Sequence, residues 1–304
     1  MIKSPLWALP EGDFFMKTAI LTDSSSGITQ AEAKEMGIYV LPMPFYINDE
    51  LLYEEIDLSY EMFYKRLEED VDIKTSQPLP GDVMDMWDKL LKEYDEIVYI
   101  PLSSGLSGSC ASALLLADDY DGKVEVVNNQ RVSVTLYSSV RDAKRLADAG
   151  KSAKEIKEIL EATKFDSGIY IMIGTMEYLK KGGRLTPAAA AIATILRIKP
   201  VLQIQGEKLD SYAKVRTVKQ GCDSMIDAVE KERNGKLNDP DGSKTEIFMA
   251  YGNNLEEAEE YRKQVAEHFG IEPSDIRMDP LALNIACHIG PSALAVAITK
   301  KLDI

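Results

Sequence analysis

The sequence has few of the residues that usually carry metal, redox and acid–base chemistry. Its 304 residues include only three cysteines and two histidines. Cys110, Cys222 and Cys287 lack the close spacing of a metal site, and their odd number argues against a disulfide framework. We therefore exclude a disulfide-stapled secreted scaffold and expect a cytoplasmic protein without a bound metal.

Basic residues and long apolar runs are also scarce. There are 35 Lys and Arg against 50 Asp and Glu, which gives a net charge of −15. Such a surface repels nucleic acid and anionic lipid, so we expect no nucleic-acid partner and at most transient membrane contact. The most apolar stretch, Pro187 to Leu196, is too short to cross a bilayer.

The chain divides into a short extension and two α/β halves. Residues 1–15 contain Pro5, Pro10 and Gly12 without any periodicity, so we treat them as an N-terminal extension. Strand and helix patterns alternate through 16–165, which predicts a three-layer α/β/α domain with a parallel sheet. Residues 166–304 add a hairpin pattern and predict a second α/β domain with a mixed sheet.

Two element assignments bear on the site. Ile38 to Ile47 is predicted as one strand, and Pro291 to Thr299 as a C-terminal helix. The second assignment leaves His288 on a loop just before that helix, where its ring could donate to an anion at the helix end. A histidine that merely caps a loop is the alternative.

The most informative stretch runs from Glu96 to Ala113. Five apolar or aromatic positions, Ile97 to Pro101, predict a buried strand, and the serines and glycines that follow predict a tight loop leading into a helix that Ser107 or Ser109 can cap. Such a loop favours an anion, but it lacks the lysine of a nucleotide-binding Walker loop. It therefore suits a small anion such as a carboxylate, although Ser and Gly are also common in ordinary turns.

Other polar loops supply further candidates. Asp23, Ser24 and two more serines form a loop after the first predicted strand, Lys17 to Thr22, and a loop with two prolines carries Thr75 and Ser76. Polar residues at the carboxyl ends of strands are typical of ligand sites in open α/β sheets. Their spacing does not show that they meet.

Arg184 and Arg216 lie near proposed loops and could face an anion. Exposed arginines are more often solvated or weakly paired, and both interpretations stay open.

A nucleophilic hydrolase is the main alternative, because Asp23, Ser107 and His288 are the residue types of a catalytic triad. The Gly-x-Ser-x-Gly elbow is absent, which argues against this function. Nucleotide-cofactor motifs are absent as well, so we expect no cofactor.

Several short motifs resemble the DegV family in their order along the chain. They are Thr22-Asp-Ser-Ser25, Lys74-Thr-Ser-Gln-Pro78, Ser103-Ser-Gly-Leu-Ser-Gly108, Tyr178-Leu-Lys-Lys-Gly-Gly-Arg184, Ile198-Lys-Pro200, Lys214-Val-Arg216 and His288-Ile-Gly-Pro291. The set is similar to the FakB-type fatty-acid-binding subunits of bacterial fatty acid kinase.

This resemblance implies a two-domain protein that holds one long-chain fatty acid in an interior tunnel and presents it to an ATP-dependent kinase without catalysing the reaction itself. It implies that Thr75 and Ser107 bind the carboxylate and that His288 joins their network. Arg184 and Arg216 would lie near the pocket mouth or the kinase-docking surface. Ser76, Asp23 and Ser24 belong to matching motifs and complete the predicted ligand site.

The chain departs from the family pattern at two places. Asn128-Asn129-Gln130 stands where an Asp-Ser pair is usual, which removes a charge from the domain junction. Ser292 stands where a second glycine is common. We expect both to affect ligand preference and partner contact more than the fold.

Overall fold

The computed structural model describes residues 16–69, 71–182, 186–187, 198–206 and 209–304. The predicted extension 1–15 and nearly all of the predicted apolar helix at 187–196 lie outside these residues.

Helices and strands alternate through most of the described chain. The strands are β1 (Thr18–Asp23), β2 (Tyr39–Leu41), β3 (Pro44–Ile47), β4 (Glu50–Tyr53), β5 (Ile73–Thr75), β6 (Glu96–Ile100), β7 (Val124–Val126), β8 (Ser167–Ile173), β9 (Lys199–Ile204), β10 (Leu209–Val215), β11 (Thr245–Tyr251), β12 (Arg277–Pro280) and β13 (Ala293–Lys300). The helices are α1 (Gln30–Met36), α2 (Tyr60–Glu68), α3 (Pro80–Leu90), α4 (Ser109–Ala117), α5 (Ser133–Asp148), α6 (Ala153–Ala162), α7 (Glu177–Gly182), α8 (Val218–Asn234), α9 (Leu255–Phe269) and α10 (Leu283–Ile289).

The first sheet is parallel, with strand order β2-β1-β6-β7. Every residue of β6 is buried, as expected for a strand covered on both faces. Val98 packs on one face with residues of α5 and α6, while Ile97 packs on the other with residues of α3 and α4. The predicted three-layer arrangement is therefore confirmed.

A small antiparallel sheet has the strand order β4-β3-β5, and its strands come between β2 and β6 in the sequence. The prediction of one strand from Ile38 to Ile47 is wrong, because the chain breaks at Pro42-Met43 and β2 and β3 enter different sheets. Asn48 and Asp49 both have positive φ, which is the backbone conformation of a tight hairpin turn between β3 and β4.

The third sheet has six strands in the order β10-β9-β8-β13-β11-β12, and only β11 and β12 pair in parallel. It confirms the predicted mixed sheet. The predicted helix from Pro291 to Thr299 is wrong, since β13 occupies this stretch between β8 and β11. Its Ala, Val and Ile side chains are buried on both faces, so the alternation that marks an exposed strand is missing.

One apolar cluster joins the two halves of the chain. It contains Phe45 and Val134 from the first half with Ile171 and Leu283 from the second. The six-stranded sheet begins at Ser167, close to the boundary predicted at 165, while the core continues across it. The division into two domains therefore stays a prediction, and the cavity described next lies within this shared cluster.

Candidate functional site

An interior cavity of about 300 Å³ lies between the two halves of the chain. Its volume is at the lower limit of the range typical of small-molecule sites. Most of its walls are apolar side chains, namely Met43, Leu102, Leu106, Val132, Ile169, Ile171, Ile204, Leu209, Leu281, Ile285 and Ile289. The remainder comprises Gly108 and the polar residues Thr75, Ser76, Gln77, Ser107, Ser133, Asn284 and His288.

Thr75 and His288 meet directly at the edge of this cavity. The Thr75 Oγ1 and His288 Nε2 atoms are 2.9 Å apart, although the residues are 213 positions apart in sequence. Thr75 ends β5, and His288 lies in the last turn of α10. The prediction that His288 lies on a loop before a helix is wrong, because the helix precedes it and a strand follows. Its predicted proximity to Thr75 is present in the structure.

Ser107 also lines the cavity, just before α4. Its hydroxyl accepts a hydrogen bond from the Ser109 N–H at 3.1 Å and lies 2.7 Å from the Ser109 hydroxyl. The Ser107 hydroxyl therefore satisfies the first N–H of a helix that has no other side-chain cap, in agreement with one of the two predicted caps.

Gln77 connects the Thr75 loop to the Ser107 loop. Its side-chain amide donates to the Ser112 hydroxyl of α4 at 3.0 Å. A Cβ atom at Gly108 would lie only 2.5 Å from Gln77 Oε1, so the glycine makes room for this crossing. The two hydroxyl-bearing loops and α10 thus come together through Thr75–His288 on one side and Gln77–Ser112 on the other.

The lining has no Lys, Arg, Asp or Glu among the residues that the structure describes. A carboxylate placed here would be held by hydroxyl, amide, imidazole and backbone N–H donors. Burying such an anion is favourable only where several donors converge on it, and the polar side of the cavity supplies them. The apolar walls suit a hydrocarbon chain.

Asp23 and Ser24 lie behind the cavity wall and do not line it. The fully buried Asp23 carboxylate accepts the Leu102 N–H at 2.8 Å and the Ser25 N–H at 2.9 Å. Burial raises the pKa of Asp23, and these two bonds offset part of the rise. The Ser24 hydroxyl accepts the Met43 N–H at 3.1 Å. Both residues therefore fix backbone segments that do line the cavity.

The triad alternative does not have its required bonds. The two Asp23 oxygens each accept a backbone N–H, Oδ1 from Ser25 and Oδ2 from Leu102. The Ser107 hydroxyl is engaged with Ser109, and His288 Nε2 lies against the Thr75 hydroxyl. Such a hydrolase needs a nucleophile, a base and an acid that are joined by consecutive hydrogen bonds.

The remaining predicted residues have different positions. Ser76 lines the cavity beside Thr75. Arg216 is exposed at the end of β10, where its N–H donates to Gln220 Oε1 at 3.1 Å, and it does not line the cavity. Arg184 lies outside the described residues.

The two departures from the family pattern have structural roles. The buried Asn129 amide donates to the Ser139 hydroxyl of α5, and the Asn128 N–H donates to Glu161 at 3.0 Å. The Ser292 carbonyl accepts the Gly174 N–H at 2.9 Å, and a Cβ at Gly174 would lie 2.8 Å from the Ser292 Cβ. Neither departure contributes a side chain to the cavity lining.

A second, polar cleft of about 740 Å³ adjoins the cavity. It shares Thr75 and His288 with the cavity, and its rim includes Lys74 and Lys181. Each lysine pairs with an acid, Lys74 with Asp72 at 2.5 Å and Lys181 with Glu177 at 3.7 Å. The Thr75–His288 pair therefore separates an apolar interior from a charged outer surface.

The sequence interpretation missed Gln77, Asn284 and Glu54. Gln77 belongs to the Lys74–Pro78 motif. The glycine at 108, which leaves room for the Gln77 side chain, is the sequence signal of its link to Ser112. Asn284 lies one helical turn before His288, so its place on the same face follows once α10 is known. Glu54 contacts Leu283 across 229 positions of sequence, and no local pattern marks it.

The comparisons with known proteins agree on one family. The model of the family described as "Uncharacterised protein, DegV family" matches residues 17–301. A DegV domain-containing protein of Staphylococcus aureus is 28% identical over 285 residues, which cover 94% of this chain and 99% of that protein.

Two solved structures have the same fold. DegV of Bacillus subtilis, described as a fatty acid binding protein, is 25% identical with a TM-score of 0.81, covering 94% of this chain and all of its own. A fatty acid binding DegV family protein of Streptococcus agalactiae is also 25% identical, with a TM-score of 0.83 and the same coverage.

Two features are absent from the described residues. No helix among them has the length and apolar character needed to cross a bilayer. No group of three or more His, Cys, Asp or Glu side chains in the same part of the chain could hold a metal ion.

Proposed function

We propose that this chain, which belongs to the DegV family, binds one long-chain fatty acid in its interior cavity and presents the carboxylate to a partner kinase. The observation that carries the proposal is an apolar cavity whose described lining contains no Lys, Arg, Asp or Glu, with Thr75, Ser107 and His288 on its polar side. The fatty acid binding described for the Bacillus subtilis relative supports the same ligand class.

The hydrocarbon tail supplies most of the affinity. About 15 methylenes at roughly 0.8 kcal/mol each give on the order of 10 kcal/mol of gross transfer free energy. Ordering the chain and the protein side chains offsets part of this gain. The apolar walls are contributed by both halves of the chain, so a bound tail would also bridge them.

The polar side sets the position of the ligand. Thr75, Ser107 and His288 would donate to the carboxylate oxygens, with Ser76 beside Thr75. The hydroxyls of Thr75 and Ser107 are neutral, so they satisfy the anion but leave its charge in place. One oxygen therefore keeps the nucleophilicity needed to attack the γ-phosphate of ATP on a kinase subunit.

The outer cleft supports presentation to a partner. Thr75 and His288 border both the cavity and the cleft, so a carboxylate bound to them lies close to the protein surface. The protein itself would provide no phosphoryl-transfer machinery. This role is compatible with a cytoplasmic protein that meets membranes only transiently.

Organic extraction of gently purified protein, followed by mass spectrometry, tests the ligand. We expect one acyl chain per protein. In the Ile285→Trp variant, the indole fills part of the cavity and should abolish co-purification of the acid. Leu115→Trp, at an exposed position of α4, is the matched control and should keep it. An empty wild-type protein that also fails to bind added palmitate would overturn the proposal.

A trapping experiment tests the presentation step. The palmitate-loaded protein is incubated with ATP and a bacterial fatty acid kinase subunit, and hydroxylamine traps any acyl phosphate as the hydroxamate. We expect product only when all three components are present. Product formed by the kinase with free palmitate alone, at the same rate, would remove the presenting role.

A further inference from the structure

Glu54 is a carboxylate buried at the junction between the small sheet and α10. It follows β4 directly and is only 3% exposed. Its Oε1 atom accepts the Leu283 N–H at 2.6 Å. Its Oε2 atom is buried without a hydrogen-bond partner among the described residues, and the nearby Ser24 side chain and Asn284 N–H act to lower the pKa of Glu54. Glu54 therefore contacts the first turn of the helix that carries His288.

The first turn of α10 has no cap of its own. The residue before the helix is Ala282, which has no side-chain oxygen to accept the free N–H groups. Unpaired N–H groups at a buried helix start are costly, and an acceptor from elsewhere in the chain removes that cost. Glu54 supplies this acceptor from the small sheet.

The same sheet holds the other end of α10 through Thr75. Glu54 follows β4 and Thr75 ends β5, and both strands pair with β3. Leu283 and His288 are five residues apart, or about 7.5 Å along a helix. The helix is therefore attached to the small sheet at two points, Glu54 at its start and Thr75 at its end.

We infer that Glu54 is a positioning residue for the head-group site, because it fixes α10 so that His288 faces Thr75 and the ligand carboxylate. This inference rests on the proposed function. Asn284 extends the attachment, since its side-chain amide donates to the Ser25 hydroxyl at 2.6 Å while the residue lines the cavity.

The surroundings of Glu54 contain other acidic groups. Glu55 is the next residue and begins the turn at 55–57, and Tyr60 and Tyr64 face Glu54 from α2. Ser24 and α10 contribute uncharged donors. Burial raises the pKa of Glu54 to about 7, the charge of Glu55 adds to the rise, and the hydrogen bonds lower the pKa by less. The acceptor oxygen remains in both protonation states.

Paired ligands separate positioning from general stability. Palmitate and methyl palmitate share a tail, but only palmitate carries the carboxylate that His288 and Thr75 would bind. In Glu54→Leu we expect palmitate affinity to fall roughly three- to tenfold, the range of one lost hydrogen bond, while methyl palmitate affinity stays unchanged. Glu54→Gln keeps the acceptor oxygen and should restore palmitate affinity.

A matched control uses a buried glutamate away from the site. Glu232 is 6% exposed and accepts hydrogen bonds from Tyr170 at 2.9 Å and Gln205 at 2.6 Å. Glu232→Leu should lower the melting temperature without changing the ratio of the two affinities.

The two histidines provide a direct spectroscopic readout. Ring resonances of His288 should shift in Glu54→Leu and return in Glu54→Gln. His268, which is exposed on α9 with Glu230 at 3.4 Å, should not move in either variant. This measurement needs no ligand, so it reports on Glu54 even if the proposed function is wrong.

The outcomes are distinguishable. Wild-type protein that binds neither palmitate nor its ester contradicts the proposed function, while His288 shifts would still support the positioning role. Unchanged palmitate affinity in Glu54→Leu, or an equal loss for both ligands with stationary His288 resonances, overturns the inference about Glu54.

Discussion

The cavity and the outer cleft meet at Thr75 and His288 but have opposite chemical character. The cavity is lined by apolar and neutral polar residues, whereas the cleft is lined by Lys74, Lys181 and several carboxylates. In this account the cavity provides affinity for a tail, and the cleft provides access to the head group. The residues between them determine where the carboxylate lies.

Shortening the ligand should produce the largest effect, because it acts on the cavity side. Removing four methylenes from a sixteen-carbon acid costs about 3 kcal/mol, or roughly a two-hundredfold loss of affinity. Titration calorimetry over acids of twelve to sixteen carbons measures the slope. An affinity independent of length would place binding in the polar cleft instead of the cavity.

Thr75→Val tests the role of a residue that lies between the cavity and the cleft. The substitution keeps the shape of the side chain and removes the hydroxyl that lies 2.9 Å from His288 Nε2. We expect palmitate to bind about tenfold more weakly, the effect of one hydrogen bond to a charged group, with methyl palmitate unaffected. An equal loss for acid and ester would show that the boundary residue acts on packing.

Ser107→Ala tests the second hydroxyl. The fold should persist, and palmitate affinity should fall by roughly threefold to tenfold. Unchanged affinity together with unchanged phosphorylation by the kinase would remove Ser107 from the site.

The pH dependence of the unfolding free energy tests the burial of Glu54 beside α10. The folded-state pKa of Glu54, about 7, is above its ordinary value of 4.5, so the folded protein holds this proton more tightly than the unfolded chain. Stability from the protonated form is therefore present at low pH and is lost as the pH rises through 7.

Glu54→Gln should remove this dependence. Between pH 6 and pH 8 the wild type should lose about 1 kcal/mol of unfolding free energy relative to the variant. Urea denaturation at the two pH values measures the difference. The same pH dependence in the wild type and in Glu54→Gln would show that burial does not raise the pKa of Glu54.

Gly108→Ala should have the smallest effect. The new methyl group would approach Gln77 Oε1 to 2.5 Å and displace a flexible side chain from Ser112. We expect about a threefold loss of palmitate affinity, less than one full hydrogen bond. Gly81→Ala, in α3, meets nothing within 4 Å and is the matched control. Equal palmitate affinities of the two variants would show that Gln77 does not connect the two loops.

Local sequence identified the loops of this site better than it identified their surroundings. Thr75, Ser76 and Ser107 stand in motifs with distinctive Ser, Gly and Pro spacing, and all three line the cavity. The segment after His288 was assigned to the wrong element, because a strand buried on both faces has no period that separates it from an apolar helix. Its neighbours β8 and β11 decide the outcome, and both are distant in sequence.

Buried polar contacts were the hardest feature to predict. Glu54 stands in an acidic stretch that is typical of an exposed turn, yet α10 covers it. Asp23 was predicted as a ligand contact and instead holds the Leu102 backbone. In both cases the partner is far away in the chain, so only the assembled fold reveals the role of the carboxylate.

A crystal structure of the palmitate complex would locate both the tail and the carboxylate. We expect continuous density for the tail along the apolar walls, with the carboxylate within hydrogen-bonding distance of Thr75, Ser107 and His288. Density for the acid in the outer cleft, or a tail that enters with its methyl end at Thr75, would contradict it.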